Sequence, residues 1–265
     1  MESGMIPAIA SGGVVGLSLG LLGGGGSILA VPLLLYVVGV GGTHVAIGTS
    51  ALAVSASALV NFAGHARAGH VWWRCAIVFA LIGTLGALVA SSVAKLVDGE
   101  KLLFLFGLVM VAVGLAMLWP RRAAEVEPRP VDARMCGVTA AVALATGALS
   151  GFFGIGGGFL IVPGIIVATG MPMINAIGSS LLAISSFGLA TALNYAASGF
   201  VDWTVAVEFI GGGILGGAAG IVASRRLSAR KGVLNRLFAV LVLCVAGYIL
   251  LKGMAVPDAL TERHR

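Results

Sequence analysis

The chain has 265 residues, of which 59% are hydrophobic and 10% are charged, with 41 glycines and a formal net charge of +6. Soluble domains carry about 25% charged residues, so this chain has too little polar surface to form a soluble globule. The composition predicts an all-α integral membrane protein, and at about 20 residues per span the chain accommodates about eight to ten membrane segments.

Apolar runs bounded by charges or by glycine and proline turns predict the helices in chain order. In the first half they cover residues 5–22, 27–40, 45–63, 75–94 and 102–119. A polar linker at 120–134 precedes the second set, at 135–153, 158–169, 174–198, 203–224 and 233–251. The runs 27–40 and 158–169 are too short to cross about 30 Å of hydrocarbon, so we expect them to be re-entrant or broken elements.

The two halves repeat at an offset of 130 to 133 residues. The run GLLGGGGSILAVPLLL at 20–35 returns as GFFGIGGGFLIVPGI at 151–165, and AIGTS at 46–50 returns as AIGSS at 176–180. Such internal duplication is typical of transporters. The pattern predicts a first transmembrane repeat at 1–119, a polar cytoplasmic linker at 120–134 and a second transmembrane repeat at 135–265.

The distribution of lysine and arginine favours inverted repeats. If each glycine-broken pair is a hairpin, the halves are inverted, and the inner connections hold 11 basic residues against 5 outside. If each pair crosses once, the halves are parallel and the sixteen basic residues divide nine to seven. Because basic residues concentrate in cytoplasmic loops, we predict inverted repeats with both termini outside.

Glycine has two uses in this sequence. Rows such as Gly212, Gly216 and Gly220 place small residues on one helix face and allow close helix contact. The adjacent glycines at 23–26 and 154–157 instead interrupt a helix, which at membrane depth is tolerated where the backbone is buried in protein or lines a cavity. Matched breaks in two halves indicate a transporter's substrate site, and a helix beginning at Ser27 or Gly158 would direct its positive end at an anion. The alternative is that these glycines only permit tight packing.

Hydroxyl and amide side chains follow both glycine runs. In an inverted pair they would approach a shared cavity at the midplane and donate hydrogen bonds to an oxyanion, while the alternative is ordinary hydrogen bonding between helices. The predicted substrate-binding set is Gly23, Gly24, Gly25, Gly26, Ser27, Thr49, Ser50, Asn61, Gly154, Gly156, Gly157, Gly158, Ser179, Ser180 and Asn194.

Few ionisable residues fall inside the predicted spans. Glu208 lies about 7 Å beyond Trp203 along a helix, so it is a candidate for proton coupling, although a residue near a helix end can also reach the interface. His44, His65 and His70 fall in predicted connections, where histidines seldom have a special role.

Several classes of function are excluded by what the sequence lacks. The three cysteines are far apart and have no partners at metal-ligand spacing, so neither a metal, a cofactor nor a disulfide is expected. No nucleophile and base form a catalytic set, so we do not expect an enzyme. The basic residues lie in short connections without interleaved aromatic residues, which argues against nucleic acid as a partner.

The duplicated glycine-run-then-proline motif, with AIGTS and AIGSS, resembles the sulfite exporter TauE/SafE family over residues 6–252. The resemblance implies a multi-pass, small-anion permease of the plasma membrane for sulfite, for sulfonates such as sulfoacetate, or for related sulfur oxyanions. We therefore expect a secondary transporter that works by alternating access, with proton coupling as an option and with the lipid bilayer and the anion as partners. Two alternatives remain: a passive anion channel, and a non-transport membrane assembly subunit. A homodimer formed through small-residue helix faces is a further expected partner.

Overall fold

The computed structural model describes residues 5–118, 133–154, 158–226, 239–240 and 242–252. Within these ranges the chain forms helices and no strand. The first half contains α1 (Met5–Leu22), a 3₁₀ helix (Gly23–Leu29), α2 (Ala30–Leu33), a π-helical turn (Leu34–Val38), α3 (Thr43–Arg67), α4 (Trp73–Ala94) and α5 (Gly99–Leu118). The second half contains α6 (Ala133–Phe153), α7 (Gly158–Thr169), α8 (Met173–Ala196), α9 (Trp203–Arg226) and α10 (Val242–Lys252).

The predicted all-α, polytopic membrane architecture is confirmed. In the described part of the chain, four helices are long and apolar enough to cross a membrane, namely Thr43–Arg67, Trp73–Ala94, Ile174–Ala196 and Trp203–Ala223. Large apolar side chains remain exposed on outward faces, including Leu85 of α4 and Leu215 of α9. Extended apolar faces are unfavourable in water, so these helices are suited to contact with lipid.

The tetraglycine run changes the pitch of the helix, whereas the sequence predicts that a new helix begins at Ser27. The backbone tightens into a 3₁₀ helix from Gly23 and later widens into the π-helical turn. Pro32 lies between the two irregular stretches, and proline disturbs a regular α-helix because it lacks an N–H and its ring clashes with the carbonyl four residues earlier. Gly39, with φ of +79°, ends the segment in the left-handed conformation that favours glycine.

The helix boundaries differ from the predicted ones mainly at α3, whereas α9 begins at Trp203 as predicted. α3 begins at Thr43 and ends at Arg67, so His44 and His65 belong to this helix and not to connections. Asp202 precedes α9, and its Oδ1 accepts the N–H of Val205 at 3.1 Å, which is the hydrogen bond of a helix N-cap. The predicted linker at 120–134 falls largely outside the described residues.

Two parallel helix pairs pack backbone against backbone. A Cβ atom added to Gly16 would overlap the carbonyl oxygen of Gly213, and one added to Gly147 would overlap that of Gly83. Other close approaches follow the same order along the helices, namely Gly12 with Phe209, Gly20 with Gly217, and Gly151 with Ala87. Residue numbers rise together on both partners, so α1 runs parallel to α9 and α4 runs parallel to α6. Such contacts are available only to small residues.

α3 and α8 lie antiparallel to each other. Gly48, near the start of α3, lies against Tyr195 near the end of α8, and Gly188 lies against the middle of α3. At the other end, Gly178 near the start of α8 lies against His65. The two helices therefore contact each other along most of their lengths, with opposite directions.

Further contacts show how α4 is directed relative to α8, and α3 relative to α9. Asn194, near the end of α8, donates a hydrogen bond to Ser91, near the end of α4, at 2.7 Å. Ser57 and Asn61 of α3 lie against Gly213 and Gly217 of α9, so residue numbers rise together on these two helices. Consequently α1, α3 and α9 run in one direction, and α4, α6 and α8 run in the opposite one. We call the end where α1, α3 and α9 begin the upper end, and the opposite one the lower end.

Equivalent residues in the two halves make reciprocal contacts. The Oγ1 of Thr49 accepts the N–H of Asp202 at 3.0 Å, and the Oγ of Ser179 accepts the N–H of Trp72 at 3.1 Å. Adding 130 to Thr49 gives Ser179, and subtracting 130 from Asp202 gives Trp72. The contacts of α1 with α9 and of α4 with α6 are related in the same way, so each half packs mainly against the other half.

Candidate functional site

The two glycine segments are brought close to each other. The 3₁₀ helix Gly23–Leu29 packs against both α7 and α8. Gly26 folds back onto α1, where an added Cβ would lie 2.5 Å from the Cβ of Ser18, and Ser27 is fully buried. The structure therefore places the helical segment of the first run beside the helix that begins at Gly158.

The second glycine segment is only partly described. Gly154 has φ of +65°, and a Cβ at this position would clash with Ile47 of α3, so glycine is needed here on both counts. Its carbonyl oxygen accepts the O–H of Ser50 at 3.1 Å, which ties the turn to α3. The predicted site residues Gly156 and Gly157 lie outside the described residues.

The predicted hydroxyl residues hold backbone segments in place. Thr49 and Ser179 each accept a backbone N–H from the residue that precedes a helix, namely Asp202 before α9 and Trp72 before α4. Ser50 donates to the carbonyl oxygen of Gly154. Ser50 also donates to Ile47 at 2.9 Å, and Ser180 donates to Ile177 at 2.8 Å. For Thr49 and Ser179 the geometry matches the alternative of hydrogen bonding between elements.

These hydroxyls form two groups at different depths. Gly178 lies opposite His65, so Ser180 lies opposite position 63 of antiparallel α3, thirteen residues from Ser50. At 1.5 Å per residue the two serines are separated by about 20 Å along the helix. Thr49, Ser50 and Gly154 lie towards the upper end, whereas Ser179 and Ser180 lie towards the lower end.

The two predicted asparagines have different environments. Asn194 belongs to a network at the upper end, in which its Oδ1 accepts the Lys95 ammonium at 2.8 Å and its Nδ2 donates to Ser91 at 2.7 Å. Asn61 is buried, with its amide about 3.0 Å from where a Cβ of Gly217 would lie. The reciprocal contacts have an offset of 130, so the structural counterpart of Asn61 is Thr191 and not Asn194.

Sequence reasoning missed a pair of serines at the centre of α3 and α8. Ser55 and Ser185 are separated by the same offset of 130, and both are buried. Each donates a hydrogen bond to the carbonyl three residues earlier, with distances of 2.9 and 2.8 Å. Gly188 lies against Ser55, so this serine is at the α3–α8 contact. The repeat offset, applied to every polar position inside the spans, is the signal that would have found them.

Glu208 lines a cleft at the upper end. The cleft has a volume of about 300 Å³ and is formed by Met5, the loop at 38–41, the start of α9 and Asp202. Two carboxylates therefore border this opening, and Asp202, which sequence reasoning also missed, uses one oxygen to cap α9. In the described part of the chain, no three histidine, cysteine or acidic side chains are arranged to hold a metal ion.

The chain is a polytopic helical membrane protein, as its long apolar helices and its glycine-packed helix pairs show. In proteins of this class, binding sites often lie at irregular breaks in the helices. Residues 8–249 match the family described as Sulfite exporter TauE/SafE. The chain belongs to this family, so the resemblance stated from its motifs is confirmed.

Several curated relatives cover most of the chain. A "Probable membrane transporter protein" of Xylella fastidiosa (strain 9a5c) is 60% identical over 252 residues, which cover 95% of this chain and 97% of that protein. The "Probable membrane transporter protein YunE" of Bacillus subtilis is 26% identical, covering 88% of this chain and 92% of its own length. MJ0441 of Methanocaldococcus jannaschii, with the same description, is 28% identical and covers 69% of each chain. No solved structure matches the chain.

Proposed function

We propose that this protein is a secondary transporter that carries a small oxyanion, sulfite or an organosulfonate such as sulfoacetate, across the cell membrane by alternating access. The observation that carries the proposal is the reciprocal exchange of contacts between the two halves, whose equivalent helices run in opposite directions. Family membership and the names of its relatives support membrane transport as the general activity. No catalytic step is part of the proposal.

The two halves, 1–119 and 135–265, act as inverted repeats in this proposal. Its support is the direction of the helices: α1, α3 and α9 run opposite to their counterparts α6, α8 and α4. A two-fold axis that exchanges antiparallel helices is perpendicular to them, and so lies in the membrane plane. Rocking of one half against the other would then open the centre first to one side and then to the other.

The anion is bound where the 3₁₀ helix Gly23–Leu29 meets α7. Backbone N–H groups beside adjacent glycines can approach a ligand closely, and the N-terminus of α7 at Gly158 contributes a positive helix end. Ser50 positions the turn at Gly154, and Ser55 and Ser185 lie between the depths of Ser50 and Ser180. An anion that moves between the two groups of hydroxyls would be stabilised by hydroxyl and backbone N–H dipoles and would not need a buried cation.

Proton coupling through Glu208 is a further part of the proposal. Its support is the position of Glu208 in the upper cleft, opposite the loop at 38–41 and close to Asp202. A carboxylate that lines a cleft can exchange protons with solvent on one side of the membrane. A proton taken up there would neutralise part of the negative charge that faces an approaching anion.

The proposal is tested by transport into liposomes that contain the purified protein. We expect uptake of labelled sulfite or sulfoacetate that saturates and accelerates when the same anion is present inside, because alternating access exchanges substrates across the membrane. Protein-free liposomes are the control, and a Glu208→Gln variant with an imposed pH gradient tests coupling. Uptake that grows linearly with concentration and carries current would indicate a channel. Absence of uptake for all anions tested would contradict the proposal.

A further inference from the structure

A cluster of three rings at the upper end is not used by the proposed transport site. His44 lies in the first turn of α3, Tyr195 in the last turn of α8, and Phe200 in the connection to α9. The His44 ring is 6.2 Å from the Tyr195 ring and 5.6 Å from the Phe200 ring, measured between centroids. The cluster therefore joins the start of one central helix to the end of the other.

Two polar atoms of this cluster are buried without a hydrogen-bond partner in the described part of the structure. They are the hydroxyl oxygen of Tyr195, a residue that is 0% exposed, and the Nδ1 of His44. Burying a hydroxyl group without a partner is unfavourable, and most buried polar atoms in proteins are paired. Two such atoms on adjacent rings therefore indicate a position that a hydrogen-bonding ligand occupies.

The Tyr195 side chain points towards the start of α3. Its Cβ lies 2.9 Å from where a Cβ of Gly48 would be, while its ring approaches His44, one helical turn earlier on α3. α3 has 25 residues, and Gly42 at its N-cap provides no side-chain hydrogen bond. The positive end of a long helix therefore lies beside the two rings that carry the unpaired polar atoms.

We infer that His44 and Tyr195 form a docking site for a small oxyanion at the start of α3, from which the anion proceeds to the central site. This inference rests on the proposed transport function. The Tyr195 hydroxyl and a protonated Nδ1 of His44 each donate a hydrogen bond, and the first turn of α3 contributes its dipole. The carboxylate of Asp202 accepts the N–H of Val205, so the positive end of α9 offsets part of its negative charge.

The repeat relation limits this site to the upper end. At the lower end the position equivalent to Tyr195 is His65, and the position equivalent to Phe200 is His70, with their rings 5.9 Å apart. The position equivalent to His44, however, is Ile174, which offers no hydrogen-bond donor. The docking site is therefore one-sided, although the two halves are otherwise closely matched.

The site is tested by the affinity of the purified full-length protein for sulfite and sulfoacetate, measured by calorimetry, and by KM and kcat in liposomes. Tyr195→Phe and His44→Leu each remove the side-chain donor and keep most of the side-chain volume. We expect both to weaken binding and raise KM about tenfold or more, with kcat nearly unchanged, because a hydrogen bond to a charged group is lost before the transport step. The matched control is Tyr248→Phe, since Tyr248 is 53% exposed and contacts Tyr36 instead.

The outcomes separate the docking site from the transport function. Unchanged affinity and KM in both variants, with a wild-type protein that binds and transports the anion, would overturn the docking site alone. A wild-type protein that neither binds nor transports any of these anions would overturn both proposals. A fall in kcat without a change in KM would assign the two rings to the conformational step and also overturn the docking site.

Discussion

Adjacent glycines in α9 have opposite environments. An added Cβ at Gly211 would meet nothing within 4 Å, whereas one at Gly212 would overlap the carbonyl oxygen of Ile9 on α1. Both residues are glycines and they are adjacent in the chain, so their different surroundings arise only from the neighbouring helix. Most of the glycines at the contact between α1 and α9 resemble Gly212, because an added Cβ would overlap the backbone of the other helix.

We expect Gly212→Ala to destabilise the protein and Gly211→Ala to leave it unchanged or slightly more stable. The first change forces two backbones apart, and overpacking of this kind costs about 1–3 kcal/mol or more. The second only replaces a poor helix former with the best one, which gains up to about 1 kcal/mol. Thermal unfolding of the two variants in detergent measures the difference, and equal melting temperatures would contradict the backbone contact between α1 and α9.

Serine and threonine illustrate what a sequence can indicate about single residues. Thr49, Ser50, Ser179 and Ser180 were selected by the repeat, and the structure places all four in buried positions with specific hydrogen bonds. Their partners were not predictable, because each partner comes from a segment more than 100 residues away or from the helix's own carbonyls. Asp202 was missed because an aspartate just before a helix is expected as an N-cap, and the sequence does not show whether it also lines a cleft.

At the scale of elements, a polar network joins the upper ends of α4 and α8. The Lys95 ammonium donates to the carbonyl oxygen of Asn194 at 3.2 Å, to its side-chain oxygen at 2.8 Å and to the hydroxyl of Ser198 at 2.9 Å. At the lower end, Ile221 and Val222 occupy the positions that correspond to Ser91 and Ser92. The upper ends of α4 and α8 are therefore joined by side-chain hydrogen bonds. The apolar side chains of Ile221 and Val222 cannot form equivalent ones.

We expect Lys95→Met to loosen the upper ends of α4 and α8 without unfolding the protein. The substitution keeps an unbranched apolar stem but removes three hydrogen bonds, each worth about 0.5–3 kcal/mol depending on its charge. Hydrogen exchange of the purified protein should become faster at 88–95 and 190–198 and stay the same in the middle of α3. Lys101→Met, at an exposed position of α5, is the control. Unchanged exchange at both segments would show that the network does not stabilise this end.

Hydropathy predicted that the helices exist, but not which ones pair. The segment boundaries mostly agree within a few residues, because a change from apolar to charged residues marks where a helix leaves the bilayer. The choice of α9 as the partner of α1 depends on the fit of two glycine faces, and several helices here have such faces. The mixed 3₁₀, α and π character after Gly23 was also unpredictable, because it results from neighbouring contacts as well as from the local sequence.

At the scale of the whole molecule, the two ends differ in charge. The acidic residues Asp98, Glu100, Asp202 and Glu208 lie towards the upper end, where α5 and α9 begin, together with Lys95 and Lys101. At the lower end, Arg67 and Arg74 flank the α3–α4 connection. The basic residues predict that the lower end faces the cytoplasm, and this orientation stays a prediction.

We expect a cysteine at Ala197 to be labelled by a membrane-impermeant maleimide on intact cells, and one at Ala68 to be labelled only after the cells are opened. Both positions are exposed, in the upper and lower connections respectively. The three native cysteines are replaced by serine or alanine first, and that variant without added cysteine is the control. Labelling of both positions in intact cells, or of Ala68→Cys alone, would contradict the arrangement.

The exchange of partners between halves also affects how the protein is made. α1 ends at Leu22, but α9, with which it packs most closely, begins only at Trp203. At a synthesis rate of about 5–20 residues per second, α1 remains without its partner for roughly 10–40 seconds after it has been made. During that interval its glycine face is open to lipid or to other helices. The closest helix contact of the first half can therefore form only after nearly the whole chain has been made.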